Sequence, residues 1–296
     1  MKKIAVLLVL VAGSLWGIIG YFVRALQEAG LNSMQIVVIR MSLSAVMFSV
    51  FALIFDKKLF KIKLKHLWCF LGTGVISVAT FSFCYFMCMT YASLSVASIL
   101  LYTAPIFVML MSVIFFKEKL NTQKIVSLIL AFCGCLFVTG VFSHNTKISF
   151  VGVIFGVMSG LCYALYSIFT RFALNRQYSP LTVTLYTFIF ASLASVCVTD
   201  IKPVLTLMTK STGDFFFCIL FALLSAVLPY LTYTLALKHI KASTASIIAT
   251  IEPVVATITG AIIFDEAVAF PLGYIGIALV IFSVVLININ IKKKTK

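Results

Sequence analysis

The feature that most constrains this chain is a succession of apolar runs, each about 20 residues long, separated by short polar or basic breaks. Ten can be counted, at roughly 4–24, 34–55, 66–90, 94–116, 122–142, 149–171, 180–200, 214–237, 242–264 and 270–291. A helical run of that length matches the hydrocarbon thickness of a bilayer. Lipid offers no partner to backbone N–H and C=O groups, so the runs must be helices that satisfy them internally. A barrel would instead show alternating segments of about ten residues, half the length seen here. The chain is 62% hydrophobic and 10% charged, where a soluble domain carries about 25% charged residues. The expectation is an all-α integral membrane protein of ten transmembrane helices.

Met1-Lys2-Lys3 and the apolar residues after it resemble a secretory signal. The run continues through Trp16 and Gly17 to about Val23, however, which is long enough to span. It is therefore read as the first helix. The net charge of +15 comes from 23 Lys and Arg against 8 Asp and Glu. In a soluble chain that balance would raise nucleic acid as a partner. Here the cations follow the loops. With the amino terminus inside, eighteen Lys and Arg fall on the cytoplasmic side: Lys2, Lys3, Lys57, Lys58, Lys61, Lys63, Lys65, Lys117, Lys119, Lys124, Arg171, Arg176, Lys238, Lys241, Lys292, Lys293, Lys294 and Lys296. Four fall outside: Arg24, Lys147, Lys202 and Lys210. The excess of Lys and Arg in cytoplasmic loops puts both termini inside and excludes a nucleic-acid partner.

The second half of the chain repeats the first. Ala97-Ser98-Ile99 returns as Ala245-Ser246-Ile247, Ala104-Pro105 as Glu252-Pro253, Phe116-Lys117-Glu118 as Phe264-Asp265-Glu266, and Tyr85 as Tyr233. Gly13, Phe22 and Arg24 align with Gly160, Phe169 and Arg171 one position earlier. The expected units are 1–146 and 147–296, five helices each. An odd number of helices per unit starts the second on the opposite side of the membrane, which makes the duplication an inverted repeat of the kind found in secondary transporters. Tyr85 and Tyr233 then fall near opposite membrane faces, where two gates are expected.

The run Gly13-Ser14-Leu15-Trp16-Gly17, Arg40 in the second helix, and the twofold Ala-Ser-Ile … Pro … Phe-x-Glu pattern from Ala97 to Glu118 and from Ala245 to Glu266 resemble signatures of the drug/metabolite transporter superfamily. With ten spans and a 5+5 repeat, the chain is similar to EamA-type members over nearly its whole length. The resemblance implies a ten-helix inverted-repeat fold, a central cavity and alternating access. It also implies export of amino acids, related metabolites or amphipathic cations, with import by some members. One departure matters: Ala104 stands in the first half where Glu252 stands in the second.

Glu252 lies mid-span, where a charged carboxylate costs several kcal/mol unless paired or hydrated. It is read either as a site for a cationic substrate or a coupling proton, or as a structural carboxylate bonded to its neighbours. Arg40, within the second span, can attract a substrate carboxylate, snorkel outward, or tie its helix to neighbouring carbonyls. Trp16 and Tyr163 occupy equivalent positions, as do Tyr85 and Tyr233, while Tyr166 lies one turn from Tyr163 and Tyr102 precedes Pro105. Paired amphipathic rings around a cavity suit an amino acid or an organic cation through cation–π contact. The competing reading is interfacial belts and lipid-facing packing. Pro105, Pro229 and Pro253 are expected to loosen their helices. Gly13, Gly17, Gly20, Gly156 and Gly160 are expected to allow close helix packing. Lys117-Glu118-Lys119 and Asp265-Glu266 read as interface anchors or polar gate groups at opposite faces.

No nucleophile–base pair or phosphate loop occurs, and no Cys or His spacing matches a metal site, so neither enzymatic activity, a cofactor nor a metal is expected. The eight Cys read as small buried hydrophobes. The sequence thus points to a multi-pass carrier of the cell (inner) membrane, a monomer or homodimer in the lipid bilayer. It exports a small metabolite, an amino acid or derivative, driven by a coupling proton or by the substrate's own gradient. Binding is assigned to Glu252, Trp16, Tyr163, Tyr166, Tyr102, Tyr85, Tyr233 and Arg40. An importer or exchanger of the same fold, and a passive channel, are the alternatives.

Overall fold

The computed structural model describes residues 1–141 and 149–289. The expected boundary between 146 and 147, His144, Lys147 and the carboxy-terminal lysines lie outside them. The described residues are helical throughout, with no strand. Eight helices are long and apolar enough to cross a membrane: α1 (Lys2–Glu28), α2 (Ser33–Phe55), α3 (Leu64–Tyr91), α4 (Leu94–Phe116), α6 (Phe150–Asn175), α7 (Pro180–Cys197), α8 (Thr212–Leu237) and α9 (Ala242–Ile263). Two shorter apolar helices, α5 (Thr122–Val138) and α10 (Leu272–Asn288), complete the series. The helices start and stop close to the limits of the apolar runs. A short helix, Lys202–Lys210, lies between α7 and α8 and tucks Val204 and Leu207 against Phe22, Leu26 and Phe221.

Local chemistry explains where the helices begin. Asn32 opens α2 with a reciprocal cap: its side chain accepts from the Gln35 N–H at 2.9 Å, and the Gln35 side chain accepts from the Asn32 N–H at 2.9 Å. Ser93, Asn121, Ser149, Ser179 and Ser211 each accept a backbone N–H at the start of α4, α5, α6, α7 and α8.

The duplication extends to the irregularities. Both α4 and α9 break just before their prolines, α4 at Tyr102–Thr103 and α9 at Thr250. A proline removes one helical donor and its ring crowds the carbonyl four residues back. At each break a Thr hydroxyl folds back onto the chain: Thr103 donates to the Leu100 carbonyl at 2.6 Å, and Thr250 to Ile247 at 2.6 Å. Both helices then end in a left-handed residue, Lys117 (φ 51°) and Asp265 (φ 53°). The following N–H closes each end, Glu118 onto the Ser112 carbonyl and Glu266 onto Gly260, each at 3.2 Å. α3 and α8 carry matching π-helical stretches at Gly72–Ala79 and Leu223–Val227.

The packing has the same symmetry. α1 packs on α8 and α9, α6 packs on α3 and α4, α2 packs on α7, and α5 packs on α10. Exchanging the halves maps these pairings onto themselves, as a twofold relation between the halves requires. Small residues set the distances. A Cβ on Gly134 would sit 2.9 Å from the Gly276 carbonyl, and one on Gly276 would sit 2.7 Å from that of Gly134, so α5 and α10 touch backbone to backbone. Gly13, Gly17, Gly156 and Gly160 face similarly tight contacts. Gly20 does not, with nothing within 4 Å of its Cβ position, so the expectation of close packing fails there.

Candidate functional site

The two halves meet in an aromatic enclosure. Trp16 of α1 projects between Tyr163 of α6 (6.1 Å between ring centroids) and Tyr230 and Tyr233 of α8 (5.3 and 5.5 Å). Tyr166 crosses Tyr230 edge-on at 5.0 Å, and Phe81 of α3 closes on Tyr163 at 5.3 Å. The rings converge because Tyr163 and Tyr166, like Tyr230 and Tyr233, are three residues apart and share a helix face. Ser77 and Ser167 complete the lining of a cavity whose free volume is ≈ 10 Å³, room for about one water. The rings are packed around one another with almost nothing between them.

Glu252 stands beside this enclosure at the start of the second segment of α9. Part of its surface stays accessible. Tyr163 lies next to it. Tyr85 and Tyr102 are near enough to feel its charge, as is Arg40. Arg40 turns toward the Tyr230 hydroxyl, and its buried Nε has no hydrogen-bond partner in the protein. That geometry overturns the readings in which Arg40 snorkels to the surface. All eight residues singled out from the sequence therefore fall in one connected cluster, with Arg40 and Glu252 both beside Tyr230. Tyr230, Phe81 and Ser167 belong to it as well. Tyr230 was visible as an aromatic one turn from Tyr233 and directly after Pro229, but its repeat partner is Ser82, so the pairing rule passed it over.

Toward the end of α8 the cluster is sealed. The Tyr166 hydroxyl bonds Thr234 at 2.7 Å, Tyr233 bonds Ser167 at 2.8 Å, and Arg171 donates to the carbonyls of Leu237 and Ile240. Tyr85, the partner of Tyr233, bonds Ser98 within its own half at 3.2 Å. The helix ends also differ from the expectation of paired interface groups. Glu118 is buried, 3.0 Å from Lys124 and 2.5 Å from the Ser243 hydroxyl, which donates to it. That pair is no interface anchor: its side chains are 8% and 9% exposed. Glu266 is half exposed and pairs with Arg24 at 2.6 Å, with the Arg24 guanidinium 4.1 Å over Phe264.

The EamA-like transporter profile matches this chain twice, over residues 3–140 and again over 150–289. The chain belongs to the EamA-like transporter family. It is a multi-pass membrane transporter, and the two matches fall on its two halves. An uncharacterized transporter of Archaeoglobus fulgidus is 28% identical over 274 residues, 90% of this chain and 91% of its own length. The uncharacterized transporter YyaM of Bacillus subtilis is 26% identical over 216 residues, 71% of this chain and 70% of its own. A crystal structure only 13% identical superposes on 96% of both chains with a TM-score of 0.78, a likeness of fold alone. The aromatic enclosure lies between the two matched segments.

Proposed function

We propose that this EamA-like protein is a secondary carrier that exports a small zwitterionic metabolite, an amino acid or derivative, across the cell membrane by alternating access. Both termini are cytoplasmic, and units 1–146 and 147–296 are inverted repeats. One observation carries the reading: a carboxylate and a guanidinium, Glu252 and Arg40, lie beside a single aromatic enclosure between the halves. Glu252 takes the substrate ammonium group or a coupling proton. Arg40, whose buried Nε lacks a partner, takes its carboxylate. The rings of Trp16, Tyr163, Tyr166 and Tyr233 enclose the side chain, and Tyr85 and Tyr102 extend the wall past Glu252. With a free volume of ≈ 10 Å³, the enclosure must part for the substrate to enter, which suits a carrier and not an open pore.

Counterflow in proteoliposomes with a panel of amino acids, amines and carboxylates at two pH values tests this. Saturable exchange of a zwitterion is the expected result. Glu252→Gln should lower it at least about 30-fold, the loss that follows when one member of a desolvated charge pair is removed. Glu252→Gln transport at the wild-type rate with unchanged pH dependence would remove Glu252 from binding and coupling. Non-saturable flux would make the protein a channel, and the direction of net flux against an imposed proton gradient separates export from import.

A further inference from the structure

A second cavity lies apart from this site. It opens between the connection from α2 to α3 and the connection from α6 to α7, with a volume of ≈ 430 Å³, within the usual range for a small-molecule site. Four permanent cations line it: Lys58, Lys61, Lys63 and Arg176. None of the four forms an ion pair among the described residues. Asp56, the one acid in the lining, is turned back to accept the Lys58 backbone N–H at 2.9 Å. The cavity therefore sets four cations against one carboxylate, a concentration of positive charge.

The pocket is also built. The Tyr178 hydroxyl accepts the Lys63 N–H at 3.0 Å and bonds the His66 Nδ1 at 2.9 Å, stapling one wall to the other. Arg176 is fixed by its bond to the Phe172 carbonyl at 2.9 Å and by the Trp68 ring 4.9 Å from its guanidinium. Around the rim stand exposed apolar side chains, Ile54, Phe55, Leu64 and Trp68, with Leu64 84% accessible. A free metabolite phosphate has no use for such a rim, whereas acyl chains cover it. Basic pockets between membrane helices bind anionic lipid headgroups, and a Trp beside them marks the interface.

We infer that this cavity holds the phosphate headgroup of an anionic phospholipid, with Lys58, Lys61, Lys63 and Arg176 around the phosphate and the acyl chains along Leu64 and Trp68. The site is independent of the proposed transport reaction.

The test uses the full chain in phosphatidylcholine nanodiscs doped with acyl-brominated phosphatidylglycerol or, separately, acyl-brominated phosphatidylcholine. Trp68 fluorescence is read by quenching, and the buried Trp16 is an internal reference. The expected result is stronger quenching by the phosphatidylglycerol. Lys58→Gln/Lys61→Gln/Lys63→Gln should weaken its apparent affinity by on the order of tenfold or more, and Lys58→Arg/Lys61→Arg/Lys63→Arg should retain it, which separates charge from folding. Equal quenching by the two lipids overturns the inference. So does displacement of phosphatidylglycerol by excess inorganic phosphate, which would mark a site for a soluble anion.

Discussion

Two equivalent seams of this molecule are bonded differently. Between α6 and α8, Tyr166 meets Thr234, Ser167 meets Tyr233, and Arg171 caps the carbonyls at the end of α8. Between α1 and α3, the counterpart of Ser167 is Gly20, with nothing within 4 Å of its Cβ position. Tyr85 has turned to Ser98 instead of crossing to α1, and Arg24 has gone to Glu266. Gly20 lies one turn from Trp16 along α1 and is exposed. One sequence pattern, used twice, is thus hydrogen-bonded across one seam and not in the same way across its counterpart. Under the proposed alternating access these seams are the parts that would move, while the glycine contacts of α1 with α9 and of α6 with α4 are common to both halves.

The comparison can be broken at four points. The largest effect is expected at the buried tie of the first half. Lys124→Met leaves Glu118 charged and buried with only Ser243 beside it, at a cost of about 3–5 kcal/mol. Thermal unfolding in detergent should fall by about 10 °C, and an unchanged midpoint would mean that the Glu118–Lys124–Ser243 cluster is not structural. Next come two glycines on one face of α1. A Cβ on Gly17 would sit 2.7 Å from both the Glu252 carbonyl and Val255, so Gly17→Ala should cost about 1–3 kcal/mol and reduce transport as well. Gly20→Ala should instead stabilise by about 0.5–1 kcal/mol. Gly20→Phe should keep its thermal midpoint but stop transport by blocking closure of the seam between α1 and α3. Normal counterflow by Gly20→Phe would show that this seam never closes. Third, Tyr233→Phe removes one hydrogen bond from the seam between α6 and α8, worth about 1 kcal/mol. Amide exchange over 229–240 should accelerate roughly fivefold, while the matching Tyr85→Phe leaves exchange over 81–91 unchanged. The smallest effect is expected at Glu266→Gln. The exposed pair with Arg24, 42% and 51% accessible, contributes under about 1 kcal/mol, and high salt should erase the difference from wild type.

The spans were legible because hydrocarbon thickness and backbone satisfaction leave a run of about 20 apolar residues one solution. The duplication was legible for the same reason: Pro105 and Pro253 dictate the same break wherever they occur in a helix. The left-handed ends at Lys117 and Asp265 were not, since such positions usually carry Gly or Asn and here a backbone bond holds them. Glu118 looked like its partner Glu266, a charge at a helix end. Its burial depends on Lys124 and on Ser243 from the other half, and no local pattern announces a partner 125 positions away. The aromatic site was half legible. Pairing by repeat found Trp16 with Tyr163, but Tyr230 entered through packing, having Ser82 as its partner. The amphipathic Lys202–Lys210 read as a loop because the basic and polar residues of its outer face dilute the apolar ones it buries.

The backbone contact at Gly134 and Gly276 has a consequence for the bilayer itself. α5 and α10 are 17 residues each, about 25 Å long, against a hydrocarbon core of about 30 Å. The bilayer along their flank is expected to thin by several ångströms or to recruit shorter acyl chains. A thicker membrane raises the elastic cost of that flank, and two copies placed flank to flank would halve the deformed perimeter.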